Sequence, residues 1–140
     1  MLNAEANRIL KERFKNGQLV ALATSSGNRP YVRAVNAYYE DGVFYIMTDA
    51  SSGKMKQIEE NPDVALCGQL INGRGTAVNA GHVLKPEHAN LMKTLRIALA
   101  EWYSYGSVDE DDPDTVILKI EISQMSVISD GTKYELIQEA

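Results

Sequence analysis

Asp41-Gly42, Asn72-Gly73 and Asp130-Gly131 punctuate this chain. Such dipeptides accept positive φ at little cost, as the tight turn between two antiparallel strands demands. Each stands between β-prone runs. Tyr31–Tyr39 precedes the first and Val43–Met47 follows it. Val64–Ile71 and Thr76–Leu84 flank the second, and Thr115–Ile128 and Thr132–Ile137 flank the third. Another apolar run, Leu19–Thr24, leads into the turn Ser25-Ser26-Gly27-Asn28. Helical spacing interrupts this pattern three times. Ala6, Ile9, Leu10 and Phe14 mark a helix over 3–15, ended by Asn16-Gly17. Met55 and Ile58 mark the inward side of one over 52–60, which Pro62 terminates. Pro86 opens a longer helix to about Tyr103, with Leu91, Leu95, Ala98, Leu99 and Trp102 on one face. Consecutive strand–turn–strand units predict a mainly β fold. It is a closed or nearly closed antiparallel barrel with helices packed outside, rather than a parallel βαβ sheet.

The length of 140 residues predicts one domain over 1–140. A net charge of −5 disfavours a nucleic-acid binder, which needs a basic surface to displace counterions. No apolar run approaches the ~20 residues that span a bilayer, so no membrane partner is expected. The first residues, MLNAEANRILKERFKNG, lack the apolar core of a secretion signal. Cys67 is the only cysteine and can form no intrachain disulfide. These features predict a cytoplasmic protein, with Cys67 as a small buried side chain in the run Val64–Cys67.

The chemistry-bearing residues concentrate in 31–66. Arg33 stands between Val32 and Ala34-Val35, where a buried guanidinium is costly without an anion. Thr48, Ser52 and Lys54 fall where a strand turns into a helix. A helix start offers free N–H groups and the positive end of the dipole. Lysine is disfavoured there unless an anion is bound nearby. Arg33, Thr48, Ser52 and Lys54 together form a candidate site for one doubly charged phosphate. No pair of carboxylates, no Ser/His/Asp order and no metal-ligand spacing accompanies them, so any chemistry would come from a bound phosphorylated cofactor.

The stretch RAVNAYYEDGVFYIMT followed by SSGKMKQIEENPDVAL resembles the pyridoxamine-phosphate-oxidase-like family, the flavin-binding split barrels. Its second half is similar to the pattern Ser-x-Lys-x-x-Gln-Ile/Leu-x-x-Asn-Pro-x-Val. LVALATSSGNRP, GTAVNAGHVL and DTVILKIEISQMSV follow the family's other elements in order, so the likeness covers roughly residues 1–137. The resemblance implies a six-stranded antiparallel split β-barrel acting as a homodimer, with flavin mononucleotide (FMN) in clefts between subunits. By motif, Arg33, Ser52 and Lys54 would hold the phosphate, with Thr48 beside it. Ala34, Val35, Asn36 and Met47 would run along the flavin ring, and Thr76 would reach in from the second subunit. The implied function is flavin-dependent redox chemistry with a small molecule or a nicotinamide. The alternative is a non-catalytic dimer that binds or senses flavin or haem.

The sequence also departs from the best-known members. Gly53 and Tyr38 stand where those carry cations, so the expectation is that phosphate binding is weaker, uses Lys56, or is absent. The Arg-x-His that contacts the pyridoxal substrate has no counterpart in SDGTKYELIQEA, which argues against oxidation of pyridoxamine phosphate. The likeness is nearer to the small general-stress and flavin-reductase branch. His82 is expected near the barrel rim, with approach to a bound flavin as the alternative, and His88 on a solvated helix face. Asp109–Asp112 reads as a solvated loop. Gly73-Arg74-Gly75 reads first as part of a hairpin. Trp102, Tyr103 and Tyr105 read as a seal for the core or a dimer seam, or as one wall of a flavin cleft.

Overall fold

The computed structural model describes residues 3–138, so the ends of the expected domain, 1–2 and 139–140, lie outside it. Helix α1 (Ala4–Phe14) begins at Asn3, whose side chain accepts from the Ala6 N–H, and buries Ala6, Ile9, Leu10 and Phe14. Strands β1 (Gln18–Ser26), β2 (Arg29–Glu40) and β3 (Val43–Asp49) form an antiparallel meander. Its turns hold Gly27-Asn28 and Asp41-Gly42 at positive φ. Helix α2 (Gly53–Glu60) follows and buries Met55 and Ile58. Asn61 then returns to extended geometry (φ −141°, ψ 103°), as a residue before proline must. Strands β4 (Asp63–Gly68) and β5 (Ile71–His82) come next. A 3₁₀ turn (Pro86–His88), α3 (Ala89–Ala98) and α4 (Ala100–Ser104) lead to β6 (Thr115–Ser129) and β7 (Thr132–Ile137).

The strand order is β3-β2-β1-β4-β5-β6-β7, and β3 also pairs with β6. Six antiparallel strands therefore close into a barrel and the seventh is an extension. The length of β6 makes this possible. One of its edges carries β5 from His82↔Val116 to Ile71↔Val127. The other carries β3 over Thr115–Glu121 and β7 over Gln124–Ser129. The expected mainly β split barrel with peripheral helices is borne out.

Two apolar clusters hold it. The barrel interior contains Val20, Leu22, Val35, Phe44, Ile46, Leu118, Ile120 and Met125, closed by Phe14 of α1 and by Met55 and Ile58 of α2. Phe14 meets Phe44 edge-on at 5.0 Å between ring centres, a favourable aromatic arrangement. Outside the wall, Met47 of β3 and Ile117 of β6 pack under Met92, Leu95, Ala98 and Leu99. The run Val116-Ile117-Leu118 is buried on both faces for this reason. No helix among the described residues is long and apolar enough to cross a membrane.

Four local expectations need correction. Asn72-Gly73 is not a turn: both lie in β5, and the chain reverses at Gln69-Leu70, with Leu70 at φ 59°. Gly73 and Gly75 serve a close crossing instead, since a Cβ on Gly73 would lie 2.4 Å from Gln124 O and one on Gly75 2.3 Å from Glu121 O. Cys67 is exposed, because β4 alternates and turns Val64 and Leu66 inwards. His88 is buried, its Nε2 2.9 Å from Ala80 O. The long helix from Pro86 is broken at Leu99 (φ −105°, ψ 26°), and Met92 takes the inward place expected of Leu91, which is half-buried like Trp102.

Candidate functional site

The sheet alternation that buries Val35, Ala37 and Tyr39 brings Arg33 to the same side of β2, at the barrel's end. Thr24 reaches that end from β1. Arg33 Nη1 donates to Thr24 Oγ1 at 2.9 Å and to Leu22 O at 3.1 Å, and Nη2 donates to Gln57 Oε1 at 2.8 Å. Thr24 Oγ1 donates to the same Gln57 oxygen at 2.6 Å. Lys54, in the first turn of α2, donates to Thr48 Oγ1 at 2.5 Å. The guanidinium is thus held wholly by neutral acceptors, and neither cation belongs to an ion pair found among the described residues.

Electrostatics record the cost. Burial pulls the Arg33 pKa below its ordinary value. Burial, then the charge of Arg33, pulls Lys54 down, with Asp49 opposing weakly. The Asp49 carboxylate is already used, accepting from Ser51 N at 2.7 Å and Ser51 Oγ at 2.6 Å. Ser52 occupies the N-cap position of α2 but makes no side-chain cap bond, and its Oγ is buried with no hydrogen-bond partner among the described residues. Two cations that repel each other, beside an orphaned hydroxyl at a helix start, suit an anion.

The cations open onto a cleft of about 350 Å³. Arg33, Ala34, Val35, Asn36, Met47, Thr48 and Lys54 all line it. The structure therefore brings seven of the nine candidate residues to one cavity. Ser52 lies two residues from Lys54 without lining the cavity. Thr76 does not join them: it lines a separate concavity with Arg74, Asp63 and Ser123. Lys56 is exposed and Tyr38 packs against Tyr45, ring centres 6.4 Å apart, so neither replaces the missing cations in this cavity. His82 is tied elsewhere, with Nε2 2.9 Å from Asp112 O and Nδ1 accepting from Leu84 N at 3.0 Å.

The opposite wall comes from the end of the helical region. Trp102, Gly106, Ser107, Val108, Asp109 and Asp112 line it, so the acidic segment is not merely a solvated loop. Sequence reasoning weighed Trp102 as a cleft wall but gave no role to Gln57 or Thr24. Gln57 stands inside the quoted motif, and Thr24 continues the inward alternation of Val20 and Leu22. Those were the available signals. Among the described residues no three His, Cys, Asp or Glu side chains group as a metal set.

Comparisons agree with this architecture. A NimC/NimA family protein from Clostridium acetobutylicum superposes with a TM-score of 0.69 at 21% identity, over 94% of this chain and 92% of that one. General Stress Protein 26 from Bacillus anthracis gives 0.65 at 24% identity, over 92% and 98%. A FAD-binding protein from Mesorhizobium loti gives 0.68 at 15% identity, over 97% and 96%. Among curated proteins none matches the sequence closely enough to count as a relative. The family profile described as pyridoxamine 5'-phosphate oxidase matches residues 7–129. With that match over most of its length and the same barrel in its solved neighbours, the chain belongs to the pyridoxamine 5'-phosphate oxidase family.

Proposed function

We propose that the chain binds FMN in this cleft and acts as a cytoplasmic flavin-dependent oxidoreductase on a small molecule or a nicotinamide. The observation that carries the reading is that, among the described residues, Arg33 and Lys54 donate only to neutral oxygens with no ion-pair partner, beside a Ser52 Oγ with no hydrogen-bond partner. Arg33 and Lys54 would take the phosphate, with Ser52 donating and Thr48 holding the lysine. Gln57 and Thr24 hold the guanidinium in place before any ligand arrives, which reduces the ordering cost of binding. Ala34, Val35, Asn36 and Met47 would flank the ring system. When bound, the flavin would supply hydride transfer, and the protein would supply position and exclusion of competing reactions. A homodimer is part of the proposal, with Thr76 reaching the site from the second subunit.

The experiment is a titration with FMN followed by absorbance and flavin fluorescence. A retained ~450 nm band with quenched fluorescence is expected, characteristic of bound rather than free flavin. Arg33→Ala and Lys54→Ala should each weaken binding about tenfold or more, as loss of a charge-assisted hydrogen bond does. A protein that stays colourless after dialysis defeats the proposal. Gly53 and Tyr38, where better-known members carry cations, favour a second reading, a dimer that senses flavin or haem without turnover. Bound FMN that neither NADH nor NADPH reduces anaerobically would select it.

A further inference from the structure

One chain of contacts ties α3, α4 and the following loop to the cleft. Arg96 on α3 donates to Glu110 through Nε at 3.0 Å and through Nη2 at 2.8 Å, a two-point grip on the carboxylate. Tyr103 on α4 donates its O–H to Glu110 Oε2 at 2.5 Å. The same phenol oxygen lies 3.4 Å from Met47 Sδ, and Met47 is buried in the cleft wall. Between Tyr103 and Glu110 run Gly106, Ser107, Val108 and Asp109, all facing the cavity. The far end of the loop is fixed separately: Ala50 N donates to Asp114 O at 2.7 Å and Thr115 Oγ1 to Asp109 O at 2.6 Å.

We infer that Tyr103 and Glu110 are positioning residues, which hold the 105–110 loop as a roof over the cleft and fix the Met47 thioether in its wall. The break at Leu99 has a consequence here, since it redirects α4 so that Tyr103 reaches both Met47 and Glu110. An exposed ion pair holds little, but this one is bidentate, and its carboxylate also accepts from a half-buried phenol. Neither residue touches the Arg33–Lys54 end. They act on the ring end of the cavity, through Met47 and through Trp102 and Val108.

The roof can be tested without flavin, because Trp102 is the only tryptophan. Acrylamide quenching of its fluorescence is compared in wild type, Tyr103→Phe and Glu110→Gln. Greater quenching is expected in both variants, with unchanged thermal protection by inorganic phosphate, which reads only the cation end. Where flavin binds, and so resting on the flavin reading above, FMN should leave both variants about tenfold faster, the effect of one charge-assisted hydrogen bond. Its visible band should also shift. Quenching like wild type in both variants overturns the inference. So does a parallel loss of phosphate protection, which would mean general loosening. A wild type that binds no FMN sinks only the flavin reading, while Trp102 still decides the roof.

Discussion

The Ser52 hydroxyl is buried without a hydrogen-bond partner among the described residues, a condition that costs about 1–3 kcal/mol. Removing it separates folding from binding. Ser52→Ala should leave the flavin-free protein as stable as wild type or more so, yet weaken FMN about fivefold to tenfold, as loss of one donor to a charged group would. Thermal unfolding with and without FMN checks both halves, and an alanine variant that unfolds earlier in both states denies the hydroxyl this role. Lys54 adds a pH dependence. Its folded pKa lies below its unfolded one through burial and the neighbouring Arg33. Below the folded value both states are protonated and the folded state bears the full penalty. Between the two values the unfolded chain binds more protons, so stability of the free protein rises with pH there. A bound dianion draws the proton back, so FMN affinity should fall on the alkaline side, and Lys54→Met should flatten that limb in a titration across pH. Ser52 and Lys54 were legible from sequence because strand, loop and helix lie within a few residues of one another. Their support was not: Gln57 and Thr24 meet Arg33 only after β1, β2 and α2 are assembled.

Strand β5 shows why glycine was ambiguous. In sequence, Asn72-Gly73 carries the same signal as the true turns at Asp41-Gly42 and Asp130-Gly131. The backbone of β6 that Gly73 and Gly75 approach is about fifty residues away along the chain, and no local pattern announces it. The actual reversal places Leu70 in the left-handed region, a choice its side chain does not favour. Cys67 and His88 were misplaced for related reasons. The run Val64–Cys67 looks uniformly apolar, although only one of its faces meets the core, and His88 is buried by Ala80 of a different element. By contrast α1 was readable, since its four apolar positions and its cap are local. The crossing gives a paired prediction. Gly75→Ala should lower unfolding free energy by about 1–3 kcal/mol through overpacking against Glu121 O. Gly53→Ala, whose Cβ would meet nothing within 4 Å, should be neutral or stabilising by about 0.4–1 kcal/mol. Denaturant midpoints compare the two, and equal behaviour would mean that β5 and β6 separate freely.

The barrel is covered unevenly, and the uneven cover bears on the proposed dimer. α1 and α2 pack against the barrel core, while α3 and α4 cover the outer face at β3 and β6. The outer face of β1, β2, β4 and β5 carries a concavity where Ala21, Ala23, Val32, Ala65 and Cys67 stand beside Asn72, Arg74 and Gln124. Val32 there is 69% exposed, and Leu19, at 57%, lies on the same outward face of β1. Exposed apolar side chains beside a few polar ones suit a contact between protein surfaces. A second copy, seated on this face, would cover it and could bring Thr76 and Arg74 from its own concavity towards the cation end of the first. Sedimentation should then give about twice the 15.5 kDa chain mass. Val32→Glu should produce the single-chain mass, because a charge buried at such a contact is costly without a partner. Cys67 provides an independent reading. Its thiol should react slowly with a bulky disulfide reagent in the wild type and quickly in Val32→Glu. Should Cys67 react equally fast in both while the mass stays double, the two copies meet through another face.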